Sequence, residues 1–318
     1  MVQEEVSDPA SDGDALPSPP IVAAIPPEVS QSPSAHGTPT PPPTLLNALL
    51  DTSVLTSLAF HSTLHILTHH ALTRHPRFTT HPRLSLHLLA EKLPSTLNAL
   101  HQSLGALHLL LLTRPWRHDI INPYPPTLDR LLASHVGFTL YDCVVMGYVG
   151  GQHASSWVHH VLGIVGAGLM RWYRRASYFP TVFLAPEVTV VATNVLWILG
   201  RCGVGEGERG VVLWTWIRAG LFCAVRGPAG LVGLWYALRV AGKQKAELEA
   251  KEGKELGSAS RASAAASLYR QLRTLPAVVW VLTLVNVFTF TGLNSYWTVL
   301  VIRSLLRTRL AVSHIHHI

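Results

Sequence analysis

Charge is scarce in this chain. Only 14% of its 318 residues are Asp, Glu, Lys or Arg, while 48% are hydrophobic. Ordinary soluble domains carry about 25% charged residues, so a single soluble globule is excluded. A chain disordered throughout would need far less apolar content. Cysteine is scarcer still. Cys143, Cys202 and Cys223 are an odd number without a CxxC pair, so neither a disulfide framework nor a zinc knuckle follows. Residues 1–43 contain no Lys or Arg. Without a basic segment leading into an apolar one, they do not read as a secretory signal peptide.

What those 43 residues do hold is proline and acid. Eleven of the 22 prolines lie there, with Glu4, Glu5, Asp8, Asp12, Asp14 and Glu28. Proline at this density removes backbone donors and blocks helix, which predicts a disordered, extended tail. The remainder carries 25 basic against 12 acidic residues, a net +13. Of those 12 acids, only Asp51, Asp142 and Glu187 fall inside apolar stretches. A charge at the centre of a bilayer costs roughly 2.5–3.5 kcal/mol even on lenient scales, so this spacing is that of a polytopic membrane protein.

A helix crossing about 30 Å of hydrocarbon needs roughly 20 residues. Apolar stretches of that order occur at 44–70, 94–113, 131–150, 157–173, 179–200, 211–240 and 275–302. The expected fold class is therefore all-α, a membrane helical bundle of six or seven transmembrane helices. The first stretch is the weak one, because it carries Asp51, His61 and His65. The sixth is interrupted at Arg226-Gly227-Pro228, where proline should kink the helix. A charged connector, 241–274, reads as a helix extension followed by a Ser/Ala linker. With seven spans, the loops 114–130, 171–177 and 239–274 hold 14 Lys/Arg against nine on the other side. The positive-inside rule then places them, and the N-terminus, in the cytosol. Arg171, Arg174 and Arg175 read as interfacial anchors. The bases flank spans instead of forming one basic face, so a nucleic-acid partner is not expected despite a pI of 9.6.

Ionisable side chains inside such helices need an explanation. Asp142 and Glu187 each sit mid-stretch, and their expected partners are His159 and His160 in Trp157-Val158-His159-His160. Intramembrane acids usually face the bundle interior and pair, and an imidazole can share a proton with a carboxylate. Glu187 and Asn194 are two helical turns apart and share a face, as do His101, Gly105 and His108. Gly163 and Ala167 form a small-xxx-small pair that allows close helix approach.

Five short segments resemble the TLC-domain family, which includes ceramide synthases, translocating-chain-associated membrane proteins and small lipid-regulating membrane proteins. They are Leu97-Asn98-Ala99-Leu100-His101, Gly137-Phe138-Thr139-Leu140-Tyr141-Asp142, the double histidine, Glu187-Val188-Thr189 with Asn194-Val195-Leu196-Trp197, and Gly292-Leu293-Asn294-Ser295-Tyr296-Trp297. Together they span about residues 94–306. The resemblance implies a helical bundle around a lipid-accessible cavity in the endoplasmic reticulum. In ceramide synthases the double histidine belongs to an acyl-transfer site, joined by a His-Asp pair about 25 residues downstream. Here Ala185-Pro186-Glu187 stands in that place, so the chain resembles the non-synthase branch, whose members act in membrane lipid composition.

The expected organisation is a Pro-rich acidic tail at 1–43, a TLC-like membrane domain at 44–310 and a tail at 311–318. The expected partners are membrane lipids or acyl chains, with no cofactor and no metal. Candidate catalytic residues are His159, His160, Asp142 and Glu187. Candidate lipid-binding residues are His101, Asn194, Asn294, Tyr296 and Trp297. The leading function is lipid handling, with acyl transfer as the chemistry if there is a reaction. One alternative is a non-enzymatic interaction or translocation accessory, using the 241–274 loop and the Pro-rich tail. The other is a membrane di-iron oxygenase, suggested by His61-x3-His65-x3-His69-His70 and His314-Ile315-His316-His317.

Overall fold

The computed structural model describes residues 44–78, 83–251 and 261–315. The Pro-rich tail, residues 252–260 and His316 and His317 of the C-terminal histidine run lie outside the described residues. Every one of the seven apolar stretches is helical. They form α1 (Leu45–Leu50) with α2 (Thr52–Arg74), α3 (Arg83–Leu107), α4 (Pro126–Val149), α5 (Ala154–Tyr173), α6 (Tyr178–Leu184) with α7 (Val188–Arg201), α8 (Arg209–Leu221) with α9 (Ala229–Lys251), and α11 (Ala277–Ile315). Between the last two lies α10 (Arg261–Leu272). No strand occurs among the described residues, and the fold is an all-α membrane bundle.

Among the described residues, four helical stretches are long and apolar enough to cross a membrane: Pro126–Val149, Tyr178–Arg201, Arg209–Ala250 and Ala277–Leu306. Helices α2, α3 and α5 have 23, 25 and 20 residues, which suffices in length. Their histidines, Glu91, Lys92 and Arg171 make them less apolar, and most of those side chains turn inward. Around the site, α4 packs between α2 and α5, and α3 packs against α2, α4 and α7. Helix α11 closes the bundle against α5 and α8.

Three local features differ from the sequence expectation. Asp51 is not mid-helix. It caps α2, accepting from the Val54 N–H at 2.9 Å, because a short acceptor before a helix satisfies an orphan donor. It also binds the buried Arg171, whose Nη2 lies 2.5 Å from Asp51 Oδ2. Arg171 further donates to Asp129 Oδ1 at 3.3 Å and to the Ala48 carbonyl. This arginine, read as an interfacial anchor, thus ties α5 to α1, α2 and α4. The Tyr124 hydroxyl donates to the same Asp129 at 2.7 Å. Burial and that carboxylate hold the phenol well above the usual tyrosine range.

Second, the interruption expected at Arg226-Gly227-Pro228 is there, but it is preceded by a π-helical turn over Phe222–Arg226, and Gly227 and Pro228 form a turn before α9. The Gly227 N–H reaches the Phe222 carbonyl at 2.7 Å. Pro228 stands at the start of α9, where its missing N–H removes no helix bond, and its carbonyl accepts from the Val232 N–H at 2.9 Å. Third, the Ser/Ala linker is helical from Arg261 onward. Alanine is the strongest helix former, and α10 lies along α9. Helix α11 likewise runs on to Ile315, into the segment read as a tail.

The approach of α2 to α4 is set by one residue. A Cβ on Gly137 would lie 2.5 Å from the Val54 carbonyl oxygen and 2.9 Å from the Leu58 nitrogen. These are backbone atoms of a packed helix and cannot step aside. Gly137→Ala is expected to destabilise the bundle by about 1–3 kcal/mol, read as a lower melting temperature in detergent. An unchanged melt would show that α2 and α4 are not seated this closely.

Candidate functional site

Helix α4 leads away from the 114–125 loop, so Asp142 lies about 24 Å along it from Pro126. The turn at 150–153 reverses the chain, and His160 follows about 9 Å into α5. Gly150 and Gly151 take φ of +72° and +70° there, conformations that glycine adopts at little cost. The reversal brings His160 Nε2 to 3.0 Å from Asp142 Oδ2. The two belong to neighbouring helices in direct packing.

Glu187 arrives by a different device. Pro186 cannot continue α6, and a single 3₁₀ turn over Ala185–Glu187 separates α6 from α7. Its carboxylate bonds no imidazole among the described residues, unlike the expectation from the sequence. It accepts from Arg226 Nη2 at 2.8 Å, and the same nitrogen lies 3.4 Å from the Pro186 carbonyl oxygen. Arg226 is 5% exposed and its guanidinium stands 5.4 Å from the ring centres of Phe222 and of Trp297. A guanidinium over an aromatic face gains cation–π attraction that is larger when desolvated.

A third pair faces the same space. Glu91 Oε2 and Lys92 Nζ are 2.6 Å apart on α3. Asp142 with His160, Glu187 with Arg226 and Glu91 with Lys92 all line one cavity of about 230 Å³. Each acid has a basic neighbour, so no carboxylate of the three faces the cavity without a partner. The cavity lies nearer the 150–153 turn than the Arg171 end of α5, and Gln152 and Ser156 contribute to its rim.

Of the other expected residues, Asn194 and Trp297 line this cavity. The Asn194 amide donates to Thr96 Oγ1 at 3.0 Å and Ser95 Oγ at 3.2 Å, fastening α7 to α3. His159 also lines it. Its ring makes edge contacts with Phe290 and Trp297 at 5.1 and 5.4 Å. Its Nδ1 is buried without a hydrogen-bond partner among the described residues. His101, Asn294 and Tyr296 are not brought here. The buried face of α3 runs through Ser95, Asn98 and Gln102, and His101 lies about 100° off it. It is exposed and shares a separate cleft with Gly105 and His108. Asn294 is buried away from the cavity lining, and Tyr296 is 47% exposed.

A narrow apolar cavity of about 50 Å³ adjoins the polar one, with His159 and Glu187 lining both. It follows α5 past Gly163 and Gly166 to Met170, between α6 and α11. His159 to Met170 is about 16 Å of helix.

The histidine run on α2 forms its own cluster. His65 Nδ1 is 2.7 Å from the Tyr141 hydroxyl, and His65 Nε2 is 3.0 Å from His87 Nδ1. His69 stacks on His87 at 3.9 Å. These rings contact one another, and no three His, Cys, Asp or Glu among the described residues are placed to hold one metal ion.

All the polar residues of the central cavity, from Glu91 to Trp297, fall within one family match. The family model for the TLC domain matches residues 89–303. The chain belongs to the TLC-domain family. No curated protein and no solved structure matches the chain. The TLC domain begins within α3, ends within α11 and makes this an integral membrane protein. Sequence reasoning missed Glu91, Lys92 and Arg226 as site residues. Arg226 carries a usable signal, being a charge inside a long apolar stretch, but with Gly227-Pro228 beside it the sequence reads only as a helix kink. Glu91 and Lys92 were hidden at the edge of a basic loop.

Proposed function

We propose that this TLC-domain protein holds an acyl lipid, its chain in the apolar slot beside α5 and its polar end among the three acid–base pairs, and that it alters membrane lipid composition by acyl transfer. The observation that carries this reading is the junction at His159 and Glu187, where a polar chamber lined by three acid–base pairs adjoins an apolar slot. Paired walls suit a polar headgroup, and the slot, about 50 Å³ as it stands, takes a hydrocarbon chain by widening between α6 and α11. An endoplasmic-reticulum location fits that role.

The chemistry follows from the 3.0 Å contact of His160 with Asp142. Asp142 fixes the ring and its tautomer by accepting from Nε2–H. Nδ1 of His160 is then the basic nitrogen. A hydroxyl or amine of the acceptor lipid attacks the acyl carbonyl and gives its proton to that nitrogen. The tetrahedral intermediate collapses, and the departing group takes the proton from His160. His159, with Nδ1 unpartnered, can donate to the developing oxyanion. Glu187 holds Arg226 and is not needed as a base.

Lipid profiles of cells lacking the protein test this reading. Wild type is expected to restore the profile, and Gly163→Leu is expected to restore it with shorter acyl chains. The new side chain fills the slot beside His135, whose Nε2 would lie 3.2 Å from a Cβ at this position. Each methylene displaced costs about 0.8 kcal/mol of burial. A profile identical with and without the protein, or an unchanged chain-length distribution in Gly163→Leu, would contradict it.

A further inference from the structure

A second cavity, about 560 Å³ and mostly apolar, lies on the other side of the Pro186–Arg226 wall. Pro186 and Val225 face it, while their neighbours Glu187 and Arg226 face the polar chamber. Two π-helical turns flank it. Leu110 and Leu111 come from the turn His108–Thr113, and Ala224 and Val225 from Phe222–Arg226. Its floor forms because α6 and α9 approach closely at Gly233, where a Cβ would lie 2.8 Å from Val182 Cγ1. The Tyr178 hydroxyl donates to the Gly233 carbonyl at 3.1 Å. Its rim is open, with Leu111, Val232 and Trp235 each more than half exposed.

Three observations give this groove a direction. From Val225 to Tyr236 it runs about 16 Å, one leaflet of a hydrocarbon core roughly 30 Å thick. Trp235 and Tyr236 stand at one end, the residue types that settle at the headgroup level. That same end is basic. Arg114 lines the groove, with Nε donating to the Leu111 carbonyl at 2.6 Å and its terminal nitrogens making no hydrogen bond among the described residues. Arg239, one turn beyond Trp235, stacks over that ring at 5.5 Å.

We infer that this groove is a binding site for an anionic glycerophospholipid of one leaflet, its phosphate at Arg114 and Arg239 and an acyl chain along α9 to Pro186. The site is separate from the polar chamber, so its occupancy does not depend on any acyl-transfer chemistry. Native mass spectrometry of the full chain, released from bilayers of equal phosphatidylglycerol and phosphatidylcholine, tests it. Each basic residue at a membrane surface favours an anionic lipid about fivefold. Wild type is expected to retain phosphatidylglycerol about tenfold or more over phosphatidylcholine, one per chain. Arg114→Gln with Arg239→Gln is expected to lose that preference at an unchanged melting temperature. Val232→Trp, which fills the groove, is expected to retain neither lipid. Equal retention of the two lipids by wild type, or a preference that survives the double substitution, would overturn the site. So would a lipid-free dimer in which a second copy covers Val232.

Discussion

Arg226→Ala is expected to cost about 3–5 kcal/mol of stability, the usual penalty for leaving one member of a buried ion pair alone. The arginine is 95% buried by its 5% exposure, and the Glu187 side chain is 12% exposed. Removing the guanidinium strands that carboxylate in the bundle and takes away its contacts with Phe222 and Trp297. In detergent, the melting temperature should fall by roughly 10 °C or more. The pairing, as distinct from the lost bulk, is read from a double-mutant cycle. Glu187→Gln combined with Arg226→Met should be clearly less destabilised than the sum of the two single changes, because neither charge is then orphaned. Strict additivity would mean that the two side chains do not depend on each other.

The second large effect concerns chemistry. If His160 moves the proton, His160→Ala removes a contribution of about 10²–10⁴ in rate, enough to return the lipid profile to that of cells lacking the protein. Asp142→Asn should lose nearly as much, since an amide can present its NH₂ to the ring and reverse the tautomer that exposes a basic Nδ1. Both substitutions also disturb a buried pair, so each is compared at matched protein level and with a measured melt. A folded His160→Ala protein that restores the full lipid profile would leave the non-enzymatic reading, an interaction or translocation accessory, as the better account.

Much of this was readable from the sequence, for identifiable reasons. Long apolar stretches with few charges are imposed by the bilayer, and all seven became helices. Asp142 and His160 could be paired on paper because intramembrane acids need partners and few were on offer. The Glu187 partner was misassigned because the choice between His159 and Arg226 depends on how a 3₁₀ turn at Pro186 and a π turn at Phe222–Arg226 rotate their side chains. Neither turn has a period that a sequence pattern can display. His101, Asn294 and Tyr296 came from motif resemblance, and their placement depends on helix rotation. His101 misses the buried face of α3 by one residue.

The claim beneath the whole reading is that a lipid chain occupies the interior slot beside the paired imidazoles. Photo-crosslinking with a diazirine-bearing acyl lipid in bilayers, followed by peptide mapping, tests it most directly. Label should appear on α5 between Gly163 and Met170 and on α6 between Phe179 and Leu184, and should diminish in Gly163→Leu. Label confined to outward residues such as Leu67, Leu213 and Phe288, all more than half exposed, would show that lipid merely surrounds the bundle and does not enter it.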